Sequence, residues 1–338
     1  MVDIYELLRR DQDGTSEYVK EFLNNIKVGY ETDDYGNIFY LDHKDAPLLS
    51  AHMDTVRKDA DFCIGAFLAE SESDKIFSGG ILGGDDKCGV YIILKVLEAG
   101  KKVNFIFSRD EEIGCVGIKK LLKPNYADIK ENTERIKNNC LYCLVLDRRG
   151  NTDIICNENY YGTKSFEDAL KKISDDGGFG YKPERGFCSD ANTIRDYIST
   201  ANLSVGYYSP HSQNEYIIKA DLEKAYNYTI SIIDNLKDKF PARTYSYSYS
   251  GGGGKYRYDY DYDDYDGYYG GYYGGYYGGY YNKNKKDKKD ECAYCRFDDN
   301  TEKLYELRFP DGTSKKLCYY CLKDLKDEID KLLLTATT

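Results

Sequence analysis

Residues 48–54 read Leu48-Leu49-Ser50-Ala51-His52-Met53-Asp54. Four residues without an ionisable side chain run straight into a histidine and an aspartate. A half-buried strand would alternate apolar with polar residues, so a short continuous run of this kind predicts a strand covered on both faces. The pattern recurs down the chain. Residues 103–107 are followed by Asp110-Glu111-Glu112-Ile113-Gly114, residues 141–146 by Asp147, and residues 203–207 by Pro210-His211. A Gly83-Gly84 turn opens a further segment with Asp85-Asp86-Lys87.

Between these runs lie segments of helical period. Val90, Ile93, Leu94 and Leu97 share one face of a helix that Gly100 stops, and residues 3–10, 16–26, 118–122 and 221–240 also read as helices. Residues 28–41 read as a hairpin around Asp34-Tyr35-Gly36-Asn37. Buried strands alternating with helices predict an α/β fold, a mostly parallel mixed sheet flanked by helices. In such a sheet, sites form beyond the carboxyl ends of the strands. Five polar insertions at equivalent positions therefore predict one shared crevice.

The residue types in that crevice suit divalent cations. Imidazole plus carboxylate is the donor set of zinc, cobalt or manganese. His52 and Asp54 stand two apart on an extended strand and so share a face. One nitrogen of His52 can then ligate while Asp54 holds the other ring N–H, which fixes the tautomer. Asp85, Glu112 and Asp147 bring three negative charges; with a bridging hydroxide these balance two dications. Two of only three histidines in the chain, His52 and His211, fall in this set.

The motifs HMDT, GGDDKCG, DEEIG, LVLDRRG and SPHSQNEY, taken in that order, resemble those of the dinuclear zinc exopeptidases, among them peptidase T, carboxypeptidase G, succinyl-diaminopimelate desuccinylase and the bacterial leucyl aminopeptidases. The resemblance covers roughly residues 1–240. It implies that His52, Asp85 and Asp147 hold one metal and Glu112, Asp85 and His211 the other, with Asp85 as the bridge. It implies that Glu111 is the general base, acting on a water shared by the two ions, and that Asp54 is the carboxylate behind His52. The activity it implies is hydrolysis of peptide or N-acyl amino-acid amide bonds, foremost as an aminopeptidase; carboxypeptidase and N-deacylase remain alternatives on the same site. Asp147 and His211 are only 64 positions apart, and His52 and Asp85 only 33. That leaves no room for the inserted lid or second domain of several relatives, so one compact catalytic domain is expected. A lid-borne oxyanion donor would then be missing, with Tyr160, Tyr161 and Tyr208 as candidates to replace it. The segment Gly186-Phe187-Cys188-Ser189-Asp190-Ala191-Asn192 resembles a substrate-side loop.

Composition sets the outer limits. The 338 residues carry a net charge of −11, with 41% hydrophobic and 31% charged residues. That balance fits a globular protein and argues against binding nucleic acid through its phosphates. No apolar run has the length of a signal peptide or a membrane span, so a cytoplasmic protein is expected, its 11 cysteines reduced or metal-bound. Cys140 and Cys143, in an apolar run, are expected to be core thiols. Sixteen of the 37 tyrosines lie between Tyr245 and Tyr281 in a glycine-rich tract that ends in lysines. Residues 241–290, without aliphatic side chains to offset ordering entropy, are expected to be a disordered linker. Cys292, Cys295, Cys318 and Cys321 form two C-x-x-C pairs around a hairpin-like stretch, the pattern of one structural zinc in a small finger over 291–335. The mixed charge of that finger favours a protein partner. An inactive binding protein working through the finger is the alternative from another functional class.

Overall fold

The computed structural model describes residues 2–56, 68–69, 74–78, 81–122, 129–186, 189–243, 304–308 and 314–318. The chain divides into two units, Met1–Tyr247 and Ser248–Thr338. In the first, the strands in chain order are β1 (Glu31–Thr32), β2 (Ile38–Tyr40), β3 (Ala46–His52), β4 (Leu68–Ala69), β5 (Lys75–Phe77) and β6 (Asn104–Ser108). They continue with β7 (Cys140–Arg148), β8 (Asp153–Ile155), β9 (Lys182–Glu184), β10 (Thr200–Ser204), β11 (Tyr207–Tyr208) and β12 (Tyr216–Ile218).

Eight strands form one sheet in the order β1-β2-β6-β3-β7-β10-β8-β9. The four central strands β6, β3, β7 and β10 run parallel, with His52 level with Ser108 and Ser50 level with Val145. β2 and β8 pair antiparallel at the two flanks of this parallel centre. Every residue of β3, β6 and β10 is buried, and β7 is buried through Leu146. This is why β3, β6 and β7 carry the apolar runs 48–49, 105–107 and 141–146. Strand β10, with buried Thr200, Asn202 and Ser204, carries none, and it ends at Ser204 and not at 207 because Gly206 takes a left-handed φ of 92°.

Successive residues nevertheless serve opposite faces, as a pleat requires. Leu49, Phe105, Leu144 and Leu203 join one core with the helices Ile4–Leu8, Gln12–Asn25, Gly84–Glu98, Lys164–Gly177 and Lys219–Asn235. Leu48, Ile106, Cys143 and Val145 join the other with Val116–Leu122, Ile129–Asn139 and Ala191–Ile194. Cys140 and Cys143 are buried thiols there, and burial pushes the Cys140 thiol up to about 12. With helices on both faces, all four central strands must deliver their polar ends to the same edge of the layer. A smaller antiparallel sheet, β11-β12-β5-β4, lies in the same unit.

Several predicted elements take other limits. The hairpin keeps a two-residue ladder, Thr32 against Ile38 and Glu31 against Phe39, and its turn is closed by the Asp33 carboxylate, which accepts the amides of Tyr35 and Asn37. The last helix stops at Asn235 and not at 240, because Phe240 is drawn away to pack on Phe166 and Tyr142 while its amide donates to Leu141. Between Asp147 and His211 the chain forms β8, the helix Lys164–Gly177, β9, the short helix Ala191–Ile194, β10 and β11, elements of the two sheets and their covering helices. Among the described residues, no helix is long and apolar enough to cross a membrane.

In the second unit, β13 (Leu304–Arg308) pairs antiparallel with β14 (Ser314–Cys318), with Leu304 opposite Cys318. The expected linker beyond residue 243, and Cys292, Cys295 and Cys321 of the expected finger, lie outside the described residues, as does the side chain of Cys318.

Candidate active site

His52 is the last residue of β3 and only 2% exposed. Its amide donates to Asp86 Oδ2, and its Nδ1 stands 3.1 Å from the Asp54 carbonyl and 3.2 Å from Asp54 Oδ1. A ring whose Nδ1–H is held this way presents Nε2 with its lone pair to the crevice. Asp54 has a second duty. Its two oxygens accept the backbone amides of Glu111 and Glu112 at 3.0 Å, tying the end of β3 to the loop that leaves β6. Burial works against its charge, yet His52 and the two amides hold its carboxyl down to about 2.

The turn before the Gly84–Glu98 helix is irregular. Gly83 is left-handed at φ 78°, Asp85 and Asp86 are non-helical, and the peptide between them is cis. Asp86 turns inward and caps the helix through the Gly89 amide. Asp85 points the other way. Its Oδ1 is 3.2 Å from His52 Nε2 and its Oδ2 is 3.1 Å from His211 Nε2, one oxygen for each histidine. Gly89 must be a glycine, since a Cβ would lie 2.2 Å from the Leu146 carbonyl; the helix therefore rests directly on β7.

Asp147, near the end of β7, places Oδ1 3.6 Å from His52 Nε2, and its backbone is clamped by the Asn202 side-chain amide from β10. His211 sits in the turn between β11 and β12 at φ 61°, with its side chain 47% exposed. Glu112 Oε1 is 3.0 Å from His211 Nε2 but makes no hydrogen bond with it, and the atom is buried. Glu111 turns elsewhere: its Oε1 lies 3.4 Å from Cys115 Sγ, and Glu111, Cys115 and Asp190 gather within 4.8 Å of one another. All six crevice residues singled out by their types, His52, Asp54, Asp85, Glu112, Asp147 and His211, together with Glu111, meet at this one edge.

The electrostatics are those of too many carboxylates for two imidazoles. Burial and the Asp85 charge push Asp147 up to about 7, and burial, opposed by His52 and reinforced by Asp147 and Asp190, raises Glu111 well above the carboxylate range. Burial lowers His211, but Asp85 and Glu112 outweigh it and raise the ring to about 11. Bound cations would offset the repulsion within such a cluster. The orphaned Glu112 Oε1 and the mixed imidazole–carboxylate donors, with Nε2 atoms facing carboxylate oxygens at 3.0–3.6 Å, fit divalent metal.

Three further neighbours complete this set, of which sequence reasoning reached only Asp190, as part of the substrate-side loop. Tyr207 donates its hydroxyl to Asp147 Oδ1 at 3.2 Å, buried Asp190 accepts the hydroxyl of Ser108, and buried Glu215 accepts the amides of Gly83 and Asp85. The loop of Gly186 and Ser189–Asn192 does reach the site, through Asp190; Phe187 and Cys188 lie outside the described residues. The three tyrosines singled out as oxyanion donors are engaged elsewhere. Tyr161 donates to Asn192 and Tyr208 to Asp221, while the Tyr160 ring lies under Arg243. The tyrosine that touches the cluster is Tyr207, whose side chain points across the two-residue strand from that of Tyr208.

The profile of peptidase family M20/M25/M40 matches residues 48–235, a span that begins in β3 and takes in every residue of the cluster. The chain belongs to this family. Its members are metal-dependent peptide hydrolases, so this M20-family chain is a hydrolase acting on peptides with the help of divalent metal. No curated protein sequence matches the chain. Solved structures share its fold. Aminopeptidase PepT from Bacillus cereus ATCC 10987 is 18% identical over 68% of this chain and 96% of that one, with a TM-score of 0.52. An aminopeptidase from the archaeon Desulfurococcus kamchatkensis is 16% identical over 69% of this chain and 93% of its own, at 0.51. A tripeptidase from Staphylococcus aureus is 14% identical over 69% and 96%, at 0.50.

Proposed function

We propose that this M20-family chain is a dinuclear exopeptidase, foremost an aminopeptidase, with Glu111 as its general base. The observation that supports the reading is the posture of Asp85, which turns one carboxylate oxygen to His52 and the other to His211. One ion would be held by His52, Asp85 and Asp147, the second by His211, Asp85 and Glu112. A pair of divalent ions supplies a polarised scissile carbonyl and a more acidic attacking water.

The chain's own groups do the remaining work. Glu111, aimed away from His211 and toward Asp190, is free to take the proton of the attacking water at a carboxylate oxygen and deliver it to the nitrogen of the leaving amine. Asp54 keeps the His52 ring in one orientation through Nδ1. Glu112 lies 3.0 Å from His211 and also gathers with His52 and Asp85, whereas Glu111 gathers with Cys115 and Asp190, so adjacent glutamates would divide two tasks by pointing apart. Peptidase is preferred over N-deacylase because an aspartate, Asp147, occupies the position that is glutamate in several deacylases of the resembling superfamily. Aminopeptidase is put ahead of carboxypeptidase only because two of the similar folds described above are named aminopeptidases.

The test is substrate choice. Metal-loaded chain is offered a peptide with a free amino terminus and a blocked carboxyl end, the converse peptide, and an N-acyl amino acid. Cleavage of the first alone supports the aminopeptidase; cleavage of either of the others moves the activity to the carboxypeptidase or the deacylase. Metal analysis separates all three from an inactive binding protein. We propose further that Cys292, Cys295, Cys318 and Cys321 hold one structural zinc, which would bring the total to about three ions per chain. A single ion, lost on cysteine alkylation, would leave only the finger.

A further inference from the structure

Glu215 is a buried acid, 1% exposed, that none of the proposed catalytic steps uses. Its Oε2 accepts the Gly83 amide at 2.8 Å and its Oε1 the Asp85 amide at 3.0 Å. Those amides open a helix, where backbone N–H groups have no partner of their own. No side chain of the helix caps its first residue, Gly83 being left-handed and without one. The cap arrives instead from 130 residues further on, in the loop that also carries His211. The Glu215 amide in turn donates to Ser212, which closes that loop. One carboxylate thus joins the turn bearing Asp85 to the turn bearing His211. The approach is close: a Cβ on Gly84 would meet Glu215 Oε1 at 3.2 Å and Ile217 and Tyr207 at 3.1 Å.

We propose that Glu215 is a positioning residue that fixes the height and rotation of Asp85, so that one oxygen faces each histidine and both cations can be held at once. The inference rests on the dinuclear reading given above. Its physical basis is the short reach of a bridging carboxylate. Asp85 stands 3.1–3.2 Å from both Nε2 atoms, and a tilt of its backbone would improve one contact only by losing the other. Charge-assisted hydrogen bonds to two amides of that turn resist such a tilt. A merely structural role predicts something different, a loss of thermal stability with no change in metal affinity.

The experiment uses the full chain and Mn²⁺, which carboxylate and imidazole bind and which thiolate clusters disfavour. Free Mn²⁺ is read by electron paramagnetic resonance during titration of wild type, Glu215→Gln and, as a control, Tyr228→Phe, which deletes a buried hydrogen bond to Leu170. Wild type should take up two ions. Glu215→Gln should raise the dissociation constant of the pair by about 10–100-fold, as loss of a group supporting a ligand does, while Tyr228→Phe should lower Tm and leave Mn²⁺ binding alone. Peptide hydrolysis by Glu215→Gln at saturating metal should show a lowered kcat with KM unchanged. Wild-type affinity in Glu215→Gln, whatever its Tm, overturns the assignment. Should Glu215→Gln fail to fold, Glu215→Asp is measured in the same way; failure of both to fold makes Glu215 a residue of the fold alone and likewise overturns it. A wild type that binds fewer than two Mn²⁺ ions defeats the dinuclear reading itself, a result distinct from either.

Discussion

His52 and His211 present the same atom to the same aspartate from opposite kinds of structure. His52 ends a strand paired on both sides, its amide bonded to Asp86 and its ring to Asp54, with 2% of its surface exposed. His211 stands on a turn with left-handed backbone, its side chain 47% exposed. The sheet therefore fixes one half of the site and a loop presents the other. A ligand built into the sheet is costly to disturb and hard to reach; one carried by a loop is cheap to move and open to substrate. The proposed pair of cations makes that division consequential, because only Asp85 belongs to both halves.

The harshest way to break the comparison is to remove what the halves share. Asp85→Asn should empty both sets of ligands and take peptide hydrolysis down to background, measured as kcat/KM alongside metal content. Retention of one ion with the other lost would show that the halves bind independently. Glu111 belongs to neither half, so Glu111→Gln should leave metal content near wild type while kcat falls by about 10²–10⁴-fold; an active Glu111→Gln enzyme removes it from the role of base. Asp54 touches the imidazole of the sheet-built half directly and reaches the other half only through the backbone amide of Glu112. Asp54→Asn should weaken metal binding by about 10–100-fold, in a titration where the ion associated with Glu112 and His211 is the better retained.

The smallest effect discriminates most finely. In metal-free protein, His52→Ala leaves buried Asp54, Asp85 and Asp147 without their imidazole and should cost about 3 kcal/mol of stability. His211→Ala, whose charge is partly screened by solvent, should cost about 1 kcal/mol or less. Denaturant unfolding of the two variants reads the difference directly, and equal losses would abolish the distinction between sheet and loop.

How much of this could be read beforehand follows the same division. Strands β3, β6 and β7 were legible because burial on both faces favours apolar side chains, and the charged residues that follow those runs gather at the edge. Strand β10 was placed three residues late because Thr200, Asn202 and Ser204 are polar residues that only the folded sheet buries. Helix Ile129–Asn139 was not legible: its apolar face amounts to little more than Ile136, packed beneath β7, on a segment otherwise full of lysine, glutamate and asparagine. The end of the final helix was misplaced because nothing local marks Asn235 as its last residue. The aromatic seat formed by Tyr142 and Phe166, distant in the chain, draws Phe240 out of the helical path.

The tasks of the supporting residues escaped for a related reason, even where, as with Asp190, the loop itself was singled out. Asp190 meets Ser108 from 82 positions away, Tyr207 meets Asp147 from 60, and Glu215 meets Gly83 from 132. Each is an ordinary polar residue in its own neighbourhood, and only the contact gives it a task. Residue type and local period were enough to say which side chains stand at strand ends, and hence which donors collect in one crevice. Packing alone decided where each of them points: that Glu111 and Glu112 diverge, that Tyr207 and not Tyr208 faces Asp147, and that a carboxylate from the His211 loop caps the Asp85 turn. Local order is set by interactions a few residues apart, whereas orientation within a site depends on partners that only the folded chain brings within hydrogen-bond reach.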